Sequence, residues 1–323
     1  LYGYNTDIDG MRLLAKKAGI ALSGKKVLVL GSGGTSKTAN AVCKNLGAKE
    51  IVTVSRKGEI NYSNVYSLHS DAQIVINTTP CGMYPDNDSC AIEIDKFSFL
   101  EGVIDVVYNP LETKLVRIAR EKGIKSVCGL FMLISQAILA AEHFTGKKYN
   151  DEVYQNTFNF VLSLKKNIVL IGMPGCGKST VGKALSEKLG RTFIDTDELI
   201  VKNAGMEITE IFNKFGEEYF RRCETEAVKY ASSQSGVVIA TGGGAVLKKD
   251  NIDYLKSNGK IFFLNRPISD IVPTSDRPLS SDYEALKKRF DERYSIYKNT
   301  ADEEIFISGI VDEAVSRIME SLK

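Results

Sequence analysis

The chain has 323 residues, 43% hydrophobic and 25% charged, with a formal net charge of +2. That length suits two domains of ordinary size, and a near-neutral charge without a run of five basic residues gives no electrostatic case for nucleic acid or an anionic membrane as partner. Six scattered cysteines without a CxxC pair, and only two histidines, argue against a zinc site of familiar spacing; no apolar run reaches the length of a membrane span, and a cytoplasmic location is expected.

In chain order, "KKVLVLG" is the first continuous apolar run, which predicts a parallel strand buried on both faces. A glycine turn and an amphipathic helix follow, then strand-like runs in "KEIVTVSR", "AQIVINTTP" and "GVIDVVYN". The segment "GLFMLISQAILAAEHFTG" predicts a helix with a broad apolar face, and "YNDEVYQNTFNFVLSLKKN" a second helix. After a polar break at 164–167, the same strand–turn–helix order returns in "KNIVLIGMPGCGKSTVGKALSEKLG", with further strands in "RTFIDTD", "GVVIATGGG" and "KIFFLNRP". The alternation predicts an α/β chain of two consecutive, mostly parallel domains, 1–165 and 166–323.

The first glycine turn carries Gly31, Gly33 and Gly34, with Ser36 where a strict G-x-G-x-x-G pattern has its last glycine. The end of the next strand offers Ser55, Arg56 and Lys57 rather than an acidic residue, which suits the 2′-phosphate of NADP better than the free ribose of NAD. An exposed basic turn is the plainer alternative. Gln136 stands on the apolar helix, either pointing outward or reaching a polyol ligand.

From "GYNTD" through "EHFTG" this half resembles the C-terminal, NADP-binding part of shikimate dehydrogenases, carried by "GSGGTSK", "NTTPCGM", "DVVYNPLET" and "GLFMLISQA". The resemblance implies a Rossmann-like domain with Asp7 as the catalytic carboxylate and Tyr108 and Gln136 facing shikimate. Gly129 and Met132 would border the nicotinamide, and Thr78, Arg56 and the glycine turn the rest of NADP. In the family a substrate domain, bearing the lysine that pairs with this aspartate, precedes "GYNTD". No lysine precedes Asp7 here, so the expectation is an N-terminally truncated chain with its dehydrogenase activity incomplete.

In the second half, "GMPGCGKS" at 172–179 matches G-x-x-x-x-G-K-[ST] throughout. Gly172, Gly175 and Gly177 let backbone N–H groups turn around phosphate oxygens, with Cys176 and Thr180 in the same loop and helix start. Lys178 supplies charge to the β- and γ-phosphates, and Ser179 a hydroxyl for Mg²⁺. Asp195 and Asp197 are expected on one side of a strand by period-2 geometry, one for Mg²⁺ and one for a substrate hydroxyl; a strand end with Asp197 as helix N-cap is the alternative. Arg221 and Arg222 lie in a helix with Glu224 nearby, and three glycines, Gly242–Gly244, end a buried strand. Arg277 falls in a polar loop and Arg293 on a helix.

From about residue 167 to the end the chain resembles shikimate kinases, carried in order by "GMPGCGKST", "DTD", "FRRCE", "TGGG", "DRPL" and "ERYSIY". The resemblance implies a P-loop kinase domain that uses ATP and Mg²⁺ to phosphorylate the 3-hydroxyl of shikimate. Asp197, Arg221 and Gly242–Gly244 would hold shikimate, with Arg221 and Arg293 on its carboxylate. Asp195 and Ser179 would serve the metal, and Arg277 would close over the phosphates beside Lys178. The stretch at 266–279 is shorter and less basic than the lid of many relatives. The combined expectation is a shikimate-pathway fusion that reduces 3-dehydroshikimate and phosphorylates the product. The alternatives are a kinase carrying a non-catalytic NADP-binding module, or a kinase for another small hydroxy acid.

Overall fold

The structure, a computed structural model, describes residues 3–271, 283–307 and 309–322, so Arg277 lies outside the described residues. The chain divides into two compact units, Leu1–Val161 and Leu162–Lys323.

In the first unit α1 (Thr6–Lys17) precedes β1 (Lys26–Leu30), α2 (Gly34–Asn45), β2 (Glu50–Val54), α3 (Val65–Leu68) and β3 (Ile74–Asn77). Then come β4 (Gly102–Asp105), α4 (Lys114–Glu121), β5 (Lys125–Cys128), α5 (Leu130–Thr145) and α6 (Asp151–Lys165), whose last turn belongs to the second unit. The strands form a parallel sheet in the order β2-β1-β3-β4-β5. Val27–Leu30 and Ile74–Asn77 are wholly or almost wholly buried, as continuous apolar strands covered on both faces should be. α1 is N-capped by Asn5, whose side chain accepts from Asp7 N at 3.0 Å and so satisfies one of the orphan N–H donors of a helix start. Its Gly10 lets α5 approach closely, because a Cβ there would meet Met132 O at 3.0 Å and Gln136 Cγ at 2.9 Å. The ammonium of Lys17, at the end of α1, lies 4.5 Å from the ring centroid of Phe131 and 4.6 Å from that of Phe158, tying α5 and α6 to the same helix.

The second unit runs β6 (Asn167–Ile171), α7 (Lys178–Leu189), β7 (Phe193–Asp195), α8 (Thr196–Ala204), α9 (Ile208–Ser233) and β8 (Val238–Ala240). It continues with α10 (Lys249–Asn258), β9 (Gly259–Asn265), α11 (Tyr283–Thr300), β10 (Glu303–Phe306) and α12 (Val311–Ser321). Its parallel sheet has the order β10-β9-β6-β8-β7, so β6, which leads into the phosphate-loop motif, is central. α9 is kinked where Gly216 takes φ 80°, a left-handed value that glycine adopts without strain.

Two strands escape the sequence pattern, β5 (KSVC) and β10 (EEIF). Both are edge strands, only partly buried, and so lack the continuous apolar run that marks the interior ones. A second difference concerns "FIDTD". β7 ends at Asp195 and α8 begins at Thr196, so Asp197 lies in a helical turn and the period-2 argument for the pair fails. The cap is Asp195, not Asp197: its Oδ1 accepts from Asp197 N at 2.9 Å.

Candidate active site of the second unit and glycine-turn edge of the first

The buried strand β6 delivers the chain into a loop whose Gly172, Gly175 and Gly177 take φ values of 146°, 82° and 102°. Only glycine occupies this region freely, and a succession of such turns points backbone N–H groups inward as an anion cradle at the start of α7. Lys178 is buried, and its Nζ donates to Gly172 O at 3.0 Å and Met173 O at 2.9 Å, folded back across the loop. Ser179 donates from Oγ to Asp195 Oδ2 at 2.5 Å.

A cavity of about 880 Å³ opens from this loop. Its lining includes Lys178, Ser179 and Thr180 together with Asp195, Asp197, Arg221, Gly242–Gly244 and Arg293. The glycine turn sits tightly against these groups. A Cβ on Gly242 would come within 2.6 Å of Asp197 Oδ1, and one on Gly244 would collide with the Arg221 guanidinium. Thr196 Oγ1 accepts from Gly242 N at 2.9 Å, which couples the turn to the start of α8. Cys176, by contrast, is fully buried beneath the loop.

Arg221 donates from Nη1 to Glu224 Oε2 at 2.8 Å and from Nη2 to Glu217 Oε1 at 3.0 Å. Against the penalty of burial, these carboxylates hold its guanidinium above the usual arginine value. Burial pushes Glu224 up, while Arg221 and then Arg293 draw it back toward the carboxylate. Arg293 is buried and its Nη1 donates to Gly243 O at 3.2 Å. Arg289, one turn earlier on α11, also lines the cavity; burial, then the charge of Arg293, lowers its pKa. Arg222 is exposed and lies over the ring of Tyr219, outside the cavity.

Sequence reading did not assign Glu224, Arg289 or Tyr297 to the site. The spacings Arg221–Glu224 and Arg289–Arg293–Tyr297 put each set on one helical face, a signal present in the sequence but silent about which face meets the cavity.

In the first unit, Gly31 takes φ 110°, its N donates to Val54 O at 2.8 Å, and a Cβ there would meet Thr78 Oγ1 at 2.8 Å. The ends of β1, β2 and β3 therefore converge on the glycine turn, with Gly33 as the N-cap of α2 and Gly34 its first residue. Ser55 is half-buried and Arg56 and Lys57 are exposed at the end of β2. Gly129 sits so close to Val106 that a Cβ would collide with its carbonyl. Met132 and Gln136 lie on α5, and Gln136 Nε2 donates to Asp7 Oδ1 at 2.7 Å. Tyr108 is exposed just beyond β4.

Beneath this edge is a polar cluster that sequence reading missed. Asp105 is wholly buried and accepts from Asn77 Nδ2 at 3.0 Å, Val107 N at 3.1 Å and Thr113 Oγ1 at 2.7 Å. Asn77 Oδ1 accepts in turn from Thr79 N and Oγ1. The loops after β3 and β4 share one carboxylate. Burial raises its pKa to about 6, outweighing the three donors.

Residues 174–323 match the family described as shikimate kinase. A shikimate kinase of Clostridium botulinum (strain Alaska E43) is 41% identical over 159 residues, covering 48% of this chain and 96% of that protein. A shikimate dehydrogenase (NADP(+)) of Clostridium perfringens (strain SM101) is 35% identical over 170 residues, covering 49% of this chain; the chain spans 62% of that dehydrogenase's length. Among solved structures, shikimate kinase from Acinetobacter baumannii in complex with shikimate is 31% identical with a TM-score of 0.48, over 51% of this chain and 96% of that one. Among the described residues no helix is long and apolar enough to cross a membrane. The chain belongs to the shikimate kinase family, its kinase half preceded by a shikimate dehydrogenase-like half.

Proposed function

We propose that this chain transfers a phosphoryl group from ATP to the 3-hydroxyl of shikimate. The observation that carries the reading is that one cavity is lined both by the glycine loop with Lys178 and by two buried or half-buried guanidiniums, Arg221 and Arg293. Two arginines can fork onto one carboxylate, and phosphoryl transfer consists largely of positioning and charge neutralisation.

In this reading Gly175, Cys176, Gly177 and Thr180 bind the phosphates through backbone and helix start, and Lys178 swings from the Gly172 and Met173 carbonyls onto the β- and γ-oxygens. Asp197, against Gly242, orients the acceptor hydroxyl and takes its proton. The Ser179–Asp195 pair fits Mg²⁺, which binds few protein oxygens and keeps water and phosphate for the rest. When bound, the ion neutralises charge developing on the phosphoryl group.

For the first unit the reading is an NADP site, with Ser55, Arg56 and Lys57 taking the 2′-phosphate and Gly31–Gly34, Thr78, Gly129 and Met132 lining the rest. Asp7 and Gln136, 2.7 Å apart, with Tyr108 nearby in sequence to the β4 edge, would meet a polyol such as shikimate. Reduction of 3-dehydroshikimate is the activity proposed for the whole protein on this basis.

The test is ATP-dependent phosphorylation of shikimate, read by ADP release. Turnover that requires Mg²⁺, and that Lys178→Ala lowers by about 100-fold or more, supports the reading. No turnover with shikimate, or equal turnover with other hydroxy acids, overturns it.

A further inference from the structure

Tyr297 lies one turn after Arg293 on α11 and is completely buried. Its ring stacks on Phe263 of β9, with centroids 5.2 Å apart and planes inclined by 19°. The phenol is thus anchored on the central sheet rather than on the cavity. Its hydroxyl donates to Gly243 O at 2.5 Å, the same carbonyl that accepts from Arg293 Nη1 at 3.2 Å. A carbonyl oxygen has two lone pairs, and here both donors come from one helical face. Gly243 also abuts the phosphate loop: a Cβ there would come within 2.6 Å of Pro174 Cδ and 2.7 Å of Cγ.

Resting on the phosphoryl-transfer reading above, we propose that Tyr297 is a positioning residue whose hydroxyl fixes the Gly243 carbonyl, which in turn holds Arg293 in place for the carboxylate of the acceptor acid. The hydroxyl touches neither substrate. Burial pushes the phenol's pKa up, so it keeps its proton and remains a donor at physiological pH. Without it the carbonyl keeps, among the described residues, the longer arginine bond, and the guanidinium that grips the acid inherits that freedom. On the ATP side Lys178 and Ser179 have hydrogen bonds of their own, to the loop and to Asp195, that do not involve the Gly243 carbonyl.

The test is Tyr297→Phe, which keeps the stacked ring, with shikimate and ATP varied separately. The expected result is a KM for shikimate raised about five- to tenfold, the worth of one buried hydrogen bond, with kcat and the KM for ATP within about twofold. In an Arg293→Lys background the same substitution should add less than about twofold, since the pair acts as one unit. A lower kcat with both KM values unchanged marks a purely structural role and overturns the proposal, as does an equal rise in both KM values. A wild-type chain that turns over shikimate beside an indistinguishable Tyr297→Phe overturns this inference alone. A wild-type chain without turnover overturns the functional reading and the inference with it.

Discussion

The hydroxyl of Ser179 and the carboxylate of Asp195 are 2.5 Å apart, joining the helix after the phosphate loop to the end of β7. One Asp195 oxygen meets the serine while the other caps α8. Asparagine is also a good N-cap, so Asp195→Asn should fold while losing the negative charge that the proposed Mg²⁺ site would use. The expected outcome is a half-saturating Mg²⁺ concentration raised about 10- to 100-fold at saturating ATP, read from activity against Mg²⁺ concentration. An unchanged Mg²⁺ dependence would reduce Asp195 to a cap.

Glu224 is 1% exposed and receives Arg221 at 2.8 Å. Glu224→Gln keeps an acceptor but removes the charge that holds the guanidinium in place. Steady-state kinetics should show a KM for shikimate raised about tenfold, and chemical denaturation a loss of about 1–3 kcal/mol.

Asp105 titrates near 6, against an ordinary 3.8. The folded state therefore keeps a proton that the unfolded chain gives up, so this group's stabilisation is complete below about pH 4 and fades as pH rises through 6. The shift corresponds to about 3 kcal/mol. Glu101 and Glu142, held below their usual values by Lys25 and Lys148 respectively, act in the opposite sense as pH falls. The informative quantity is therefore the difference from Asp105→Asn, neutral throughout. Denaturant unfolding between pH 4 and 7 should show the wild type losing stability relative to the variant as pH rises, and parallel curves would contradict this.

Arg56 is exposed at the end of β2, whose last carbonyl accepts from Gly31 N. Arg56→Ala should weaken NADP⁺ binding about tenfold or more and leave NAD⁺ binding within about twofold, because only the 2′-phosphate is lost as a partner. Calorimetric titration with both dinucleotides measures it, and equal losses would place the arginine elsewhere.

The legibility of the chain differs by residue for a physical reason. The loop after β6 reads directly from "GMPGCGKS" because its residues are chain neighbours, and the glycines declare its backbone. The interior strands read as well, since burial on both faces demands unbroken apolar runs. β5 and β10 do not, because an edge strand half in water needs no such run. "DTD" misled for a related reason: two residues after a strand can continue its alternation or begin a helix, and here Asp195, by capping, ends the strand.

By itself, then, the sequence determined two parallel α/β units, a glycine loop between β6 and α7, a basic end to β2 and the order of the kinase motifs. Each rests on residues adjacent in the chain or at helical or strand spacing. Only the tertiary structure decided what converges on Gly243: Arg293 and Tyr297 reach its carbonyl across 50 and 54 residues. It likewise decided that Asp7 meets Gln136 across 129 residues, and that Asp105 serves two loops at once. Such contacts depend on which helical face turns inward, which long-range packing chooses and local pattern does not encode.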